Sequence, residues 1–63
     1  MKVGEDYMIY NSPKGWLNEI PFKIIRIKEG VYTFYKERGS QQVRYDLKQE
    51  QFKIFNVIPF NDI

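Results

Sequence analysis

A chemically active site usually needs a side chain that exchanges protons near neutral pH or binds a metal, and the commonest of these are missing here. The 63-residue chain contains neither histidine nor cysteine. That removes the usual general base, the thiolate nucleophile, the disulfide framework and the imidazole or thiolate ligands of zinc. The hydroxyls of Ser12, Ser40, Thr33 and the tyrosines have no such base to activate them. The carboxylates Glu5, Asp6, Glu19, Glu29, Glu37, Asp46, Glu50 and Asp62 are scattered, mostly in turn-forming stretches or beside lysines. Paired-carboxylate chemistry needs two acids in one partly desolvated cleft. The sequence therefore predicts a non-enzymatic protein with no catalytic residue, no metal site and no cofactor.

What remains is recognition, and two sets of residues suit it. Arg26, Lys28, Tyr35 and Arg44 fall in the middle of the chain, where Lys23 to Lys53 holds eight bases and four acids within a chain of formal charge +2. A ring beside guanidinium groups can stack on a base while the cations meet phosphate, the way single-stranded nucleic acid is commonly held. The same pattern also describes a solvated sheet face whose Arg and Lys stems cover the rings. The second set is Tyr10, Lys14, Trp16 and Phe55, which brings the turn-rich stretch Asn11-Ser12-Pro13-Lys14-Gly15-Trp16 together with the final apolar run. Trp and Tyr are frequent anchors of protein interfaces, and a Trp here would equally serve to plug the end of a small core.

Both sets depend on the elements that carry them. Eleven residues are aromatic, the compact filling needed by a chain short enough to bury only roughly 60% of its unfolded surface. Turn formers cluster at Asn11 to Gly15, Glu29-Gly30, Gly39-Ser40 and Pro59 to Asp62, separating runs rich in Ile, Val, Tyr and Phe. Strands are expected at about Tyr7 to Asn11, Phe22 to Lys28, Val31 to Arg38, Gln42 to Leu47 and Lys53 to Ile58, with one 3₁₀ turn between Asp46 and Phe52.

The two central turns set a register. A two-residue hairpin at Glu29-Gly30 places Lys28 opposite Val31, Ile27 opposite Tyr32, Arg26 opposite Thr33, Ile25 opposite Phe34 and Ile24 opposite Tyr35. A second at Gly39-Ser40 places Lys36 opposite Val43, Tyr35 opposite Arg44 and Phe34 opposite Tyr45. One face then gathers Ile25, Ile27, Tyr32, Phe34, Val43, Tyr45 and Leu47 as the core. The other presents Ile24, Arg26, Lys28, Thr33, Tyr35, Gln42, Arg44 and Asp46.

Five short strands, a long polar first loop, a central meander and one tight turn before the last strand resemble the Src-homology-3-like barrel shared by KOW, Tudor and related modules. The likeness runs from Val3-Gly4-Glu5 to Ile58 and is one of topology. It implies an all-β, five-stranded antiparallel barrel forming a single domain over residues 1–63, and it transfers no family function. Lys14-Gly15-Trp16 also resembles the Lys-Gly-aromatic step of cold-shock domains, but Leu17-Asn18-Glu19 replaces the continuation that family requires.

No basic leader runs into an apolar segment, and no apolar stretch approaches the length of a membrane span. The expectation is a cytoplasmic protein with no membrane partner. Its ligand is read as a protein, with the chain acting as a small modulator or inhibitor of the phage type, or alternatively as nucleic acid. Apolar residues on both faces of Tyr7 to Tyr10 and Phe52 to Ile58 also allow a homo-oligomer.

Overall fold

Alternating β-branched and aromatic residues pair into one antiparallel sheet in a computed structural model that describes residues 1–11 and 20–62. The strands are β1 (Asp6–Ile9), β2 (Phe22–Lys28), β3 (Val31–Arg38), β4 (Gln41–Lys48) and β5 (Val57–Pro59), in the spatial order β4-β3-β2-β1-β5. A 3₁₀ turn, Gln49–Gln51, follows β4, and another, Phe60–Asp62, follows β5. The sheet is open: among the described residues no pairing joins β4 to β5, so the ladder does not close into a barrel.

Both central hairpins turn where the sequence expects. Glu29 and Gly30 have φ of 52° and 78°, the two left-handed residues a type I′ turn demands, and Lys28 pairs with Val31 across them. Gly39, with φ 58°, opens the turn between Arg38 and Gln41. The β3–β4 register is the expected one throughout, including Tyr35 with Arg44 and Phe34 with Tyr45.

The β2–β3 register differs from expectation over its second half. Lys28, Ile27 and Arg26 pair as expected, but Phe34 then faces Ile24 and Tyr35 faces Lys23, a β-bulge that skips Ile25. The extra residue inverts the alternation. Ile24 is fully buried, whereas Ile25, expected in the core, is 38% exposed. Ile27 is exposed to a similar degree. The core consists of Tyr7, Ile9, Phe22, Ile24, Phe34, Val43 and Leu47, with Tyr32, Tyr45, Phe52, Phe55 and Val57 packed against it.

The final strand is also shorter than expected. Residues 52–56 form a single helical turn instead of extended chain. Val57 N–H donates to Phe52 C=O (2.9 Å) and Asn56 N–H to Lys53 C=O (3.4 Å), with Asn56 left-handed at φ 54°. This is a Schellman closure, in which Asn is tolerated at the left-handed position. Phe52 and Phe55, three residues apart, thereby point to the core together while Ile54 is 68% exposed.

Candidate functional site

The β-bulge determines which side chains share the outer face of β2-β3-β4. In Phe22-Lys23-Ile24 the odd residue faces out, whereas in Arg26-Ile27-Lys28 the even residues do. Ile25 and Arg26 together oppose Thr33, so the bulge turns Arg26 and Lys28 outward while Phe22 and Ile24 stay buried. Without it, a strand that buried Ile24 would also bury Arg26. On β3 and β4 the outward set is Val31, Thr33, Tyr35, Glu37, Gln42, Arg44, Asp46 and Lys48.

The candidate residues Arg26, Lys28, Tyr35 and Arg44 therefore lie on one surface. Tyr35 sits between Lys23 on β2 and Arg44 on β4, and Arg26 is one row away beside Thr33. Two depressions flank this row. One, of about 270 Å³, is lined by Arg26, Lys28, Glu29, Val31, Thr33 and Asp46. The other, of about 400 Å³, is mostly apolar in surface, lined by Ile20, Pro21, Ile25 and Tyr35 together with Asp6, Lys23, Lys36 and Glu37. The first depression sets two cations, Arg26 and Lys28, against two carboxylates, Glu29 and Asp46, and the second offers an apolar surface beside the Tyr35 ring.

Local bonds fix parts of this face. Thr33 Oγ1 donates to Asp46 Oδ1 at 2.7 Å, holding that carboxylate against the sheet. Tyr35 O–H donates to Glu37 Oε2 at 3.3 Å. Partial desolvation, then the Glu37 carboxylate, pushes the Tyr35 phenol above its ordinary value, with Arg44 opposing. Tyr35 is therefore a neutral ring throughout the physiological range. Lys23 is partly committed elsewhere: its Nζ lies 3.0 Å from Asp6 Oδ1 and 3.3 Å from Gly4 C=O.

Of the other candidate set, two residues are described. Lys14 and Trp16 lie outside the described residues. Tyr10 and Phe55 are brought near each other as β1 runs on past β5, with Tyr10 N–H donating to Asn56 C=O and Asn11 N–H to Phe55 C=O at 3.1 Å. Asn11 Nδ2 also donates to Ile54 C=O, so Asn11 ties down the helical turn. Both rings are half-buried and Phe55 packs on the core, so the apolar residue presented on this flank is Ile54.

One residue escaped the sequence reading. Lys36, on the core side of β3, is 3% exposed, with its Nζ 4.3 Å from the centre of the Phe22 ring and donating to Ile20 C=O. Strand parity, which places Lys36 between Phe34 and Arg38 on the inward side, was the available signal.

Among the described residues no group of three or more acidic, histidine or cysteine side chains is placed to hold a metal, and no helix is long and apolar enough to cross a membrane. No protein-family model, curated protein or solved structure matches the chain.

Proposed function

We propose that this protein is a non-enzymatic binding module whose outer β2-β3-β4 face docks a single-stranded nucleic acid. The observation that carries this reading is the row Lys23–Tyr35–Arg44 with Arg26 and Lys28 alongside it, all on one sheet face beside an apolar depression. A base stacked on Tyr35 would lie over the apolar groove, leaving its phosphates to Arg26, Lys28 and Arg44. The strand order and the 3₁₀ turn before β5 support a Src-homology-3-like architecture for this module.

Fluorescence anisotropy with a labelled mixed-sequence single-stranded DNA, and with its RNA counterpart, tests the reading. Affinity should fall as salt rises, with a log–log slope of about −0.7 per phosphate contact. Changing Arg26 and Arg44 together to Ala should weaken binding and flatten that slope, and Tyr35→Ala should weaken it by roughly tenfold or more where Tyr35→Phe does not. No anisotropy change with either probe at low salt would end this reading.

A protein ligand is the second reading, favoured by the 68% exposure of Ile54 and by the exposed Phe60. It assigns the contact to the flank of Tyr10 and Phe55, which the sequence groups with Lys14 and Trp16. An Ile54→Ser variant that loses a partner captured by the wild type, while Arg26 and Arg44 variants keep it, would select this reading.

A further inference from the structure

We propose that the protein associates with a second copy of itself by antiparallel pairing of β4 with β4 of the partner, in one register centred on Tyr45.

The sheet has two edges, and they differ in kind. β5 is three residues long and contains Pro59, the short, donor-poor edge that resists further pairing. β4 is eight residues long with neither Pro nor Gly, and among the described residues only β3 pairs with it. Across the two-residue turn, Arg38 and Gln41 form a hydrogen-bonded pair, and such pairs then recur at every second residue. The N–H and C=O groups of Gln41, Val43, Tyr45 and Leu47 therefore serve β3, while those of Gln42, Arg44 and Asp46 point away from the sheet; at the end of the edge, Lys48 N–H already donates to Gln51 Oε1 at 2.8 Å.

A charged edge often serves to keep strands apart, and that reading can be weighed against the order of the charges. Antiparallel self-pairing requires outward residues to meet outward residues, so a two-fold axis must pass through a residue. With the axis at Arg44 or at Asp46, that residue meets its own copy and like charges oppose. At Tyr45, Arg44 faces Asp46 of the partner subunit twice over, and Gln42 faces Lys48 of the partner subunit twice. Opposite charges directly across a ladder are favourable and like charges are not. The remaining contacts suit the inner face: Val43 meets Leu47 of the partner subunit, and the two Tyr45 rings meet at the centre. An edge guarded by like charges would lack this self-complementarity. Asp46 is also held by Thr33, which presents the carboxylate in a fixed position.

Charge exchange tests the register. Nuclease-treated wild-type protein should show a monomer–dimer equilibrium by sedimentation between micromolar and millimolar concentration. Arg44→Asp and Asp46→Arg should each weaken dimerisation by about tenfold or more, and the double variant, which restores opposite pairs, should recover it. Amide exchange of the wild type provides a reading that does not depend on variants: the amides of Gln42, Arg44 and Asp46 should be protected at high concentration and exchange fast at low concentration. A wild type that stays monomeric at millimolar concentration, or a dimer that leaves those amides unprotected, overturns the proposal. So does a double variant that folds but dimerises no better than the singles. Gln42→Pro removes an edge N–H at a position outside the proposed nucleic-acid contacts, so loss of the dimer with retained nucleic-acid binding in that variant would separate this proposal from the reading above.

Discussion

Glu5 and Tyr7 show how two side chains near the chain start tie the N-terminal segment to the core. Glu5 Oε1 accepts from Lys2 N–H at 2.6 Å and from the Tyr7 hydroxyl at 3.1 Å, and the first of these bonds chiefly holds its carboxyl below the ordinary value of 4.5. A depressed carboxyl contributes stability that is present above its unfolded value and disappears as pH falls through its folded value. Tyr7 is shifted the other way, above 10.0, first by burial and then by Glu5. Its neutral form belongs to the folded state, so its contribution is intact below the unfolded value and is lost as pH rises through the folded one. Urea midpoints should therefore decline below about pH 4.5 and again above about pH 10. Tyr7→Phe should flatten the alkaline arm. An alkaline arm as steep as the wild type's would show that the other tyrosines carry it. Lys36 makes a second claim at this scale. Lys36→Ala removes a buried stem, the cation over Phe22 and the donor to Ile20, and should cost about 2 kcal/mol in urea unfolding, with Lys36→Met recovering the packing share.

At the scale of elements, the one-residue bulge in β2 and the helical turn at residues 52–56 are departures from the sequence reading that alternation alone does not locate. Phe22-Lys23-Ile24 and Arg26-Ile27-Lys28 each alternate, in opposite phase, and the adjacent Ile24-Ile25 marks the seam. A hairpin register counted back from Glu29-Gly30 carries straight through that seam and buries the wrong isoleucine. The outer-face positions of Arg26, Lys28, Tyr35 and Arg44 were legible because all but Tyr35's β2 neighbour lie on the turn side of the bulge or on the regular β3–β4 ladder. Ile24→Ala should then cost about 2–5 kcal/mol, as a fully buried large-to-small change, against about 0.5 kcal/mol for Ile25→Ala. An uninterrupted register reverses that order, so chemical denaturation of the pair decides between them. The last strand was misjudged for a different reason: Lys53-Ile54-Phe55 has strand-forming residues, but Phe52, Phe55 and Val57 reach the core only if the chain makes one helical turn closed at Asn56. Asn56→Val should cost about 1–2 kcal/mol through the left-handed penalty, while Asn56→Gly should be neutral or slightly stabilising in the same assay.

Over the whole molecule, one aromatic hub joins elements that are remote in sequence. Phe34 in the central strand is fully buried, with edge-to-face contacts to Tyr7 at 6.0 Å and to Phe52 at 5.7 Å, and Phe52 in turn meets Tyr32 at 5.2 Å. Phe34 thereby couples β1, the central hairpins and the helical turn before β5, so the sheet cannot lose one of these without exposing the ring that holds the others. A chain of this length is expected to have a net stability of about 3–9 kcal/mol, and truncating a buried Phe costs about 3–5 kcal/mol. Phe34→Ala should therefore leave much of the population unfolded at room temperature, losing the β signal and the tertiary aromatic signal together in one transition. Phe34→Leu, which keeps much of the volume but not the ring contacts, should melt cooperatively at an intermediate temperature. If Phe34→Ala instead lost only the aromatic signal of the helical turn and kept the β2-β3-β4 meander, the meander would be a separate folding unit. The outer face it carries would then hold its shape without β1 and β5.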